Sequence, residues 1–471
     1  MKTTKHLFAL ATCCLLTVSI FAQTNEPAWV VEAGAKVSPV GKKAYNANTY
    51  GAVDDTLSLS TQAIQAAIDD CSVKGGGIVT LNPGRYLIGS IFLKKGVNLR
   101  LDKGVVLLGS PFLRDYPEID TRVAGIEMKW PAALINIIDQ ENVRISGEGL
   151  IDAQGKPFWD SYWTMRADYN PRGLRWIVDY DCKRPRCVLV QNSKNIIVSE
   201  VTLQRSGFWT VQVLYSSYVT VNKVIIRNNI GGHGPSTDGI DIDSSSKILV
   251  ENCDIDCNDD NFCLKAGRDA DGLRVNRPCE YIVIRNCVAG AGGGLITCGS
   301  ETSGGIRNIW VDNLSAKGTS VGFRVKSALN RGGVVENIYI NNITMTNVAV
   351  PIEVTTNWNP AYSYSELPQG YTYDSIPVHW KKMLEKVPAA KGIPVFKNIY
   401  VNNLAATGAR RALSVSGMPE SIVDGFFLSN VSIEARSAGS INYSNGWRFK
   451  NVQLQAADSL KVTNCTDMML K

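Results

Sequence analysis

A short unit of alternating apolar residues recurs through the second half of this chain, and it restricts the available folds more than any other feature. It reads NIIVSEVTL, YVTVNKVII, KILVENCDI, YIVIRNCVA, NIWVDNLSA, NIYINNITM, NIYVNNLAA and GFFLSNVSI. One equivalent residue in each unit, Glu200, Lys223, Asn252, Asn286, Asn313, Asn342, Asn403 and Asn430, gives steps of 23, 29, 34, 27, 29, 61 and 27. Self-similarity at such a period marks a stacked architecture. Alternation with period two, Val/Ile enrichment and little helical patterning point to an all-β, single-stranded parallel β-helix. In that fold each coil pairs with the one before, and inward residues form apolar ladders. A β-propeller is the competitor, but irregular steps and single strands between turns fit blades poorly. Asn tolerates left-handed backbone and bonds its neighbours, which explains its recurrence without invoking function. An open coil end needs a cap. TQAIQAAIDDCSVKG, Thr61 to Gly75, reads as the one amphipathic helix suited to that task.

Lys2 and Lys5 precede an apolar run from Leu7 to Phe21, then Ala22 before a polar segment. Residues 1–22 therefore read as a cleaved signal peptide, which implies a secreted or periplasmic protein and leaves 23–471 as a single β-helix domain. The run is short for a membrane span. Ten cysteines remain, and CKRPRC could close a small disulfide loop; packing as small hydrophobes on strands is an equally good account. His6, His233 and His379 are scattered, so no zinc site is expected. A balance of 49 Lys and Arg against 43 Asp and Glu reads as a solvated surface, with no nucleic-acid partner implied. The 61-residue step holds an insertion, 356–395, rich in aromatics: Trp358, Tyr362, Tyr364, Tyr371, Tyr373 and Trp380. Such a loop stacks on sugar rings or buries itself against the helix body.

Between His233 and Phe262 stand seven Asp and Glu251, a crowding of acids in a segment patterned as strand. Asp238 lies 21 residues before Asp259 and 22 before Asp260, close to the shortest coil step. Stacking would bring the three together on neighbouring coils. Adjacent carboxylates repel, so at least one should keep its proton near neutral pH while its neighbours ionise. An acid/base pair needs that arrangement. Ordinary Asp turns are the bland alternative for any one of them. Asp241 and Asp243 alternate with Ile240 and Ile242 and are expected to point away from the core and only solubilise the strand, as are Asp254 and Asp256. VGFRVKS puts Arg324 and Lys326 on one strand face, a fork and a point charge suited to a substrate carboxylate. Lys265 and Arg268 follow the acids as counter-ions or substrate contacts. AGAGGGLITCGSETSGG has no Lys in the frame of a phosphate loop and reads as a turn that a substrate can approach.

Together these residues resemble glycoside hydrolase family 28, the polygalacturonases and their relatives. YGAVDDTLSLSTQAIQAAIDDCSVKGGGIVTLNPGRYLIGSIFL is similar to the N-terminal segment of pectin-active β-helix enzymes, and GLIDAQGKPFW to an early family motif. STDGIDI, NDD and RVK stand where the family has Asn-Thr-Asp, an Asp pair and Arg-Ile-Lys. The resemblance implies a right-handed, pectin-lyase-like β-helix and an inverting hydrolase without metal or organic cofactor. Asp259 would be the general acid, with Asp238 and Asp260 activating water from the other face. Arg324 and Lys326 would hold a uronate carboxylate. Gly293 stands where the family has His, and Ser236 where it has Asn; His233 is near in sequence and a candidate substitute for the missing imidazole, although a loop His is more often a solvated turn residue. The expected partner is a pectic polysaccharide, cleaved at a galacturonic acid bond by a monomer acting from a chain end. The alternatives are rhamnogalacturonan hydrolysis, a β-eliminating lyase of the same fold, and a binding β-helix whose chemistry has decayed.

Overall fold

The computed structural model describes residues 26–470. The segment read as a signal peptide lies outside them. Among the described residues, 32 strands join into one continuous sheet that winds as a parallel β-helix. Val198, Val221, Val250, Ile284, Val311, Ile340, Val401 and Leu428 follow one another in register from coil to coil. All eight are almost fully buried, so the spacings found in the sequence are the coil lengths themselves. The eight equivalent residues all take left-handed backbone, with φ from 53° to 69°. Six of them are Asn, the residue that enters this region most readily after Gly. Side-chain amides then bond between coils, as from Asn313 to Asn286 at 2.8 Å and from Asn403 to Asn342 at 2.6 Å.

Helix α1 (Thr61–Val73) buries Ile64, Ala67, Ile68 and Cys71, the i, i+3, i+4, i+7 stripe of an amphipathic helix. It packs on the strands Ala44–Asn46, Gly77–Thr80 and Ile91–Phe92 at the first coils. All ten cysteines among the described residues are free thiols, nine of them buried. Cys182 and Cys187 therefore do not close a loop, and the packing account holds. No helix among the described residues is long and apolar enough to cross a membrane.

Three excursions leave the coil on one side. The first is an antiparallel hairpin, Glu118–Val123 with Ile126–Pro131. The second contains α2 (Lys156–Tyr169) and α3 (Val178–Asp181). The third is the insertion 356–395, with short helices at Pro360–Ser363, Val378–Leu384 and Ala389–Gly392. Val123, Trp130, Trp176, Tyr180, Trp380 and Met383 give them a common apolar core. Tyr180 Oη donates to the Ala124 carbonyl at 2.8 Å, and Lys382 Nζ to the Glu127 carbonyl at 2.7 Å. This layer corrects one expectation. Asp241 and Asp243 do point out of the coil, but both are fully buried. Arg122 of the hairpin, also fully buried, pairs with Asp243 at 2.9 Å. A buried charge demands such a partner, so neither residue serves to solubilise a strand.

Candidate active site

Ile240 pairs in register with Phe262, and Gly239 N–H donates to the Asp260 carbonyl at 2.9 Å. A coil of 22 residues therefore lays Asp238 directly beside Asp260, with Asp259 one position earlier. These three line one cavity with Asp179, Lys265, Glu301, Lys326, Arg175, Ser236 and the aromatic rings of Trp209, Trp358 and Tyr362. Asp238 and Asp260 are buried, whereas Asp259 is only partly so.

The surroundings drive the carboxyl groups apart. Burial alone would raise Asp260, but Lys326 and Arg324 outweigh it and hold this group well below the usual carboxylate range. Lys326 Nζ donates to Asp260 Oδ2 at 2.9 Å, Thr297 Oγ1 donates to Oδ1 at 2.8 Å, and Arg324 Nη1 lies 3.4 Å from Oδ1. Asp259 is pushed up by burial and by the charge on Asp260. Asp238 and Asp241 are pushed far up, first by burial and then by neighbouring acid charges. Lys265 Nζ, 3.7 Å from Asp238, 3.6 Å from Asp241 and 3.4 Å from Glu301, tempers that repulsion. Burial would raise Glu301 too, yet Lys265 and Arg331 bring it down to about 2. One cavity thus contains carboxyls pushed in opposite directions, Asp260 and Glu301 down and Asp238 and Asp259 up, which is what acid/base chemistry uses.

The remaining expected site residues divide. Lys326 lines the cavity, its ammonium 4.3 Å over the Trp358 ring. Arg324 lies just behind, with Nε on Glu353 at 2.8 Å. Both spend donors on protein acids. Arg268, expected as a counter-ion or a substrate contact, is fully buried, donates to Tyr180 Oη and the Tyr362 carbonyl, and does not line the cavity. It is a structural counter-ion, because its charge is consumed in fastening two of the excursions together. His233 is exposed, stacked on Trp163 with centroids 5.2 Å apart, and stands outside the cavity lining; it does not replace the missing imidazole. Gly293 does adjoin the acids: a Cβ there would sit 3.2 Å from Asp259 Oδ1. In the aromatic insertion, Trp358 and Tyr362 line the cavity, while Trp380 is buried and donates to Asp181 at 2.8 Å.

Arg175, Asp179, Trp209 and Glu301 were not expected in the site. Arg175 and Asp179 come from an excursion without any repeat pattern, so no spacing in the sequence aligns them with the acids. Glu301 was visible only as part of the GSE turn. For a cation, Asp238, Asp260 and Cys263 place donor atoms within 4.8 Å of one another. Lys326 already occupies the Asp260 oxygen that faces Cys263 Sγ at 3.8 Å, so positive charge at this point comes from the side chain.

A parallel β-helix with this array of acids is the framework of a glycoside hydrolase. Residues 118–376 match the glycosyl hydrolases family 28, and the chain belongs to that family. It is 27% identical over 453 residues to an exo-poly-alpha-D-galacturonosidase of Dickeya chrysanthemi, covering 87% of this chain and 70% of that one. It is 31% identical over 313 residues to an endo-polygalacturonase of Pectobacterium carotovorum subsp. carotovorum, covering 64% and 72% respectively. The crystal structure of a hyperthermoactive exopolygalacturonase from Thermotoga maritima superposes with a TM-score of 0.75 at 25% identity, over 90% of this chain and 94% of that one.

Proposed function

We propose that this chain is a secreted hydrolase of pectic polysaccharide that releases α-linked galacturonic acid from a chain end with inversion of configuration. The observation that carries the reading is the meeting of Asp238, Asp259 and Asp260 in one cavity, with Asp259 pushed up and Asp260 pushed down by their surroundings. Asp259, raised and the most accessible of the three, protonates the glycosidic oxygen. Asp260, ionised, takes the proton of the attacking water, and Asp238 beside it orients that water. No metal or organic cofactor enters this scheme.

Attack at a chain end is supported by the excursions. Ala124 at the hairpin tip, Asp179 of α3 and Tyr362 of the insertion all line the cavity, and bonds between these excursions wall it on one side. A wall suits a terminal sugar better than a polymer running through. Relatives named as both exo- and endo-acting enzymes favour galacturonan over other substrates. Secretion rests on the basic and apolar N-terminal pattern.

The test is product analysis on polygalacturonate. Monogalacturonate should appear from the first turnovers, with its fresh anomer opposite in configuration to the cleaved bond. A ladder of oligomers rejects end attack, a retained anomer rejects inversion, and cleavage of rhamnogalacturonan alone moves the substrate. Asp259→Asn should lower kcat by roughly 10²–10⁴-fold with the fold intact; unchanged turnover removes Asp259 from the acid role.

A further inference from the structure

Three cations line the cavity: Arg175, Lys265 and Lys326. Two of them are engaged by the catalytic acids. Lys265 is faced by Asp238, Asp241 and Glu301, and Lys326 by Asp260. Arg175 differs. Its Nη1 donates to Asp179 Oδ2 at 2.6 Å, the only hydrogen bond its guanidinium makes among the described residues. Nε is buried without any hydrogen-bond partner. A guanidinium has five N–H donors, and the edge formed by Nε and Nη2 is a planar fork that matches a carboxylate bidentately. Buried donors are rarely left unpaired, because the loss of their water is uncompensated.

The surroundings hold that fork in place and leave it positively charged. Asp179 is shared: Arg184, fully buried, reaches its Oδ1 at 3.4 Å, and Ser236 Oγ donates to the same oxygen at 3.2 Å. Two guanidinium groups against one carboxylate leave a net positive charge on this wall. The Arg175 guanidinium also lies 4.9 Å over the Tyr362 ring, which fixes its orientation further. Its side chain is 17% exposed and lines the cavity, with Nε itself seated in the wall.

We propose that Arg175 binds a carboxylate of the substrate and thereby makes the enzyme prefer galacturonate over its methyl ester or a neutral galactosyl residue. The proposal rests on the hydrolase reading above and adds a specificity-determining residue to it. Arg324 and Lys326 then act first through Asp260, and the uronate charge is read from the α2–α3 side as well.

Trigalacturonate and its fully methyl-esterified form are the probes. For Arg175→Lys, which keeps the charge beside Asp179 but loses the fork, kcat/KM on trigalacturonate should fall on the order of a hundredfold, mainly through KM, and by much less on the ester. An undiminished preference for the acid, or an equal loss on both substrates, overturns the proposal; the second result is what a merely structural role gives. If the unaltered chain cleaves neither probe, the hydrolase reading fails separately. Calorimetric binding of trigalacturonate in an Asp259→Asn background, with and without Arg175→Lys, then decides the role of Arg175: weaker binding supports it and equal affinity overturns it.

Discussion

Lys326→Met tests the electrostatic logic of the site most directly. Lys326 Nζ lies 2.9 Å from Asp260 Oδ2, with only 6% of the lysine side chain and 1% of the aspartate exposed. Removing one partner of a buried ion pair costs about 3–5 kcal/mol. Arg324 Nη1 remains 3.4 Å from the other oxygen, so the lower end, about 3 kcal/mol, is the better expectation. Expressed wholly as a change in ionisation, at 1.36 kcal/mol per unit, this raises Asp260 by about two pH units. A depressed acid supports catalysis as a base above its own pKa, so the acidic limb of the kcat/KM profile should move upward by that amount. The sign for stability follows from linkage. Asp260 sits below its unfolded value, so its contribution is present above the usual carboxylate range and is lost as pH falls through the folded value. The variant should therefore melt lower at neutral pH, and the gap to the unaltered protein should close in strong acid. Kinetics in buffers of constant ionic strength, with thermal melts in the same series, supply both readings. If Lys326 only contacts substrate, activity drops equally at every pH and the limb stays put; that result refutes the reasoning.

Two further substitutions test the outer parts of the site. Arg324→Ala removes a charged donor next to Asp260, and kcat/KM for acidic oligomers should fall about tenfold to a hundredfold, from about 1.5–3 kcal/mol for a hydrogen bond to a charged group; an unchanged kcat/KM shows that Asp260 does not depend on it. Arg122→Met leaves Asp243 fully buried without its 2.9 Å partner. Unfolding free energy should drop by about 3–5 kcal/mol, and an unmoved denaturation midpoint shows that the hairpin is anchored elsewhere.

The repeat determined most of the fold because a β-helix is a one-dimensional object: each coil touches only its neighbours, and the chain writes its own register as spacing. For that reason Asp238, Asp259 and Asp260 were legible as a cluster, and the markers from Glu200 to Asn430 proved to be the left-handed corners. The same locality explains Ile64, Ala67, Ile68 and Cys71 of α1, whose stripe needs only a helical period. Residues outside the repeat were not legible. Asp241 and Asp243 read as surface acids because alternation says which side of a strand they occupy, not what covers that side. Arg122, which covers Asp243, arrives from 121 residues earlier in the chain. Arg175, Asp179 and Tyr362 reach the cavity from two excursions with no common period, and the choice between counter-ion and substrate contact for Arg268 stayed open in the sequence because its partners Tyr180 and Tyr362 lie 88 and 94 residues away. Sequence alone thus settled the coil and the acids it stacks, since those depend on neighbouring rungs. Tertiary packing decided which charges are buried, which are already paired and which face the cavity, because burial and pairing depend on chain segments that no local period brings together.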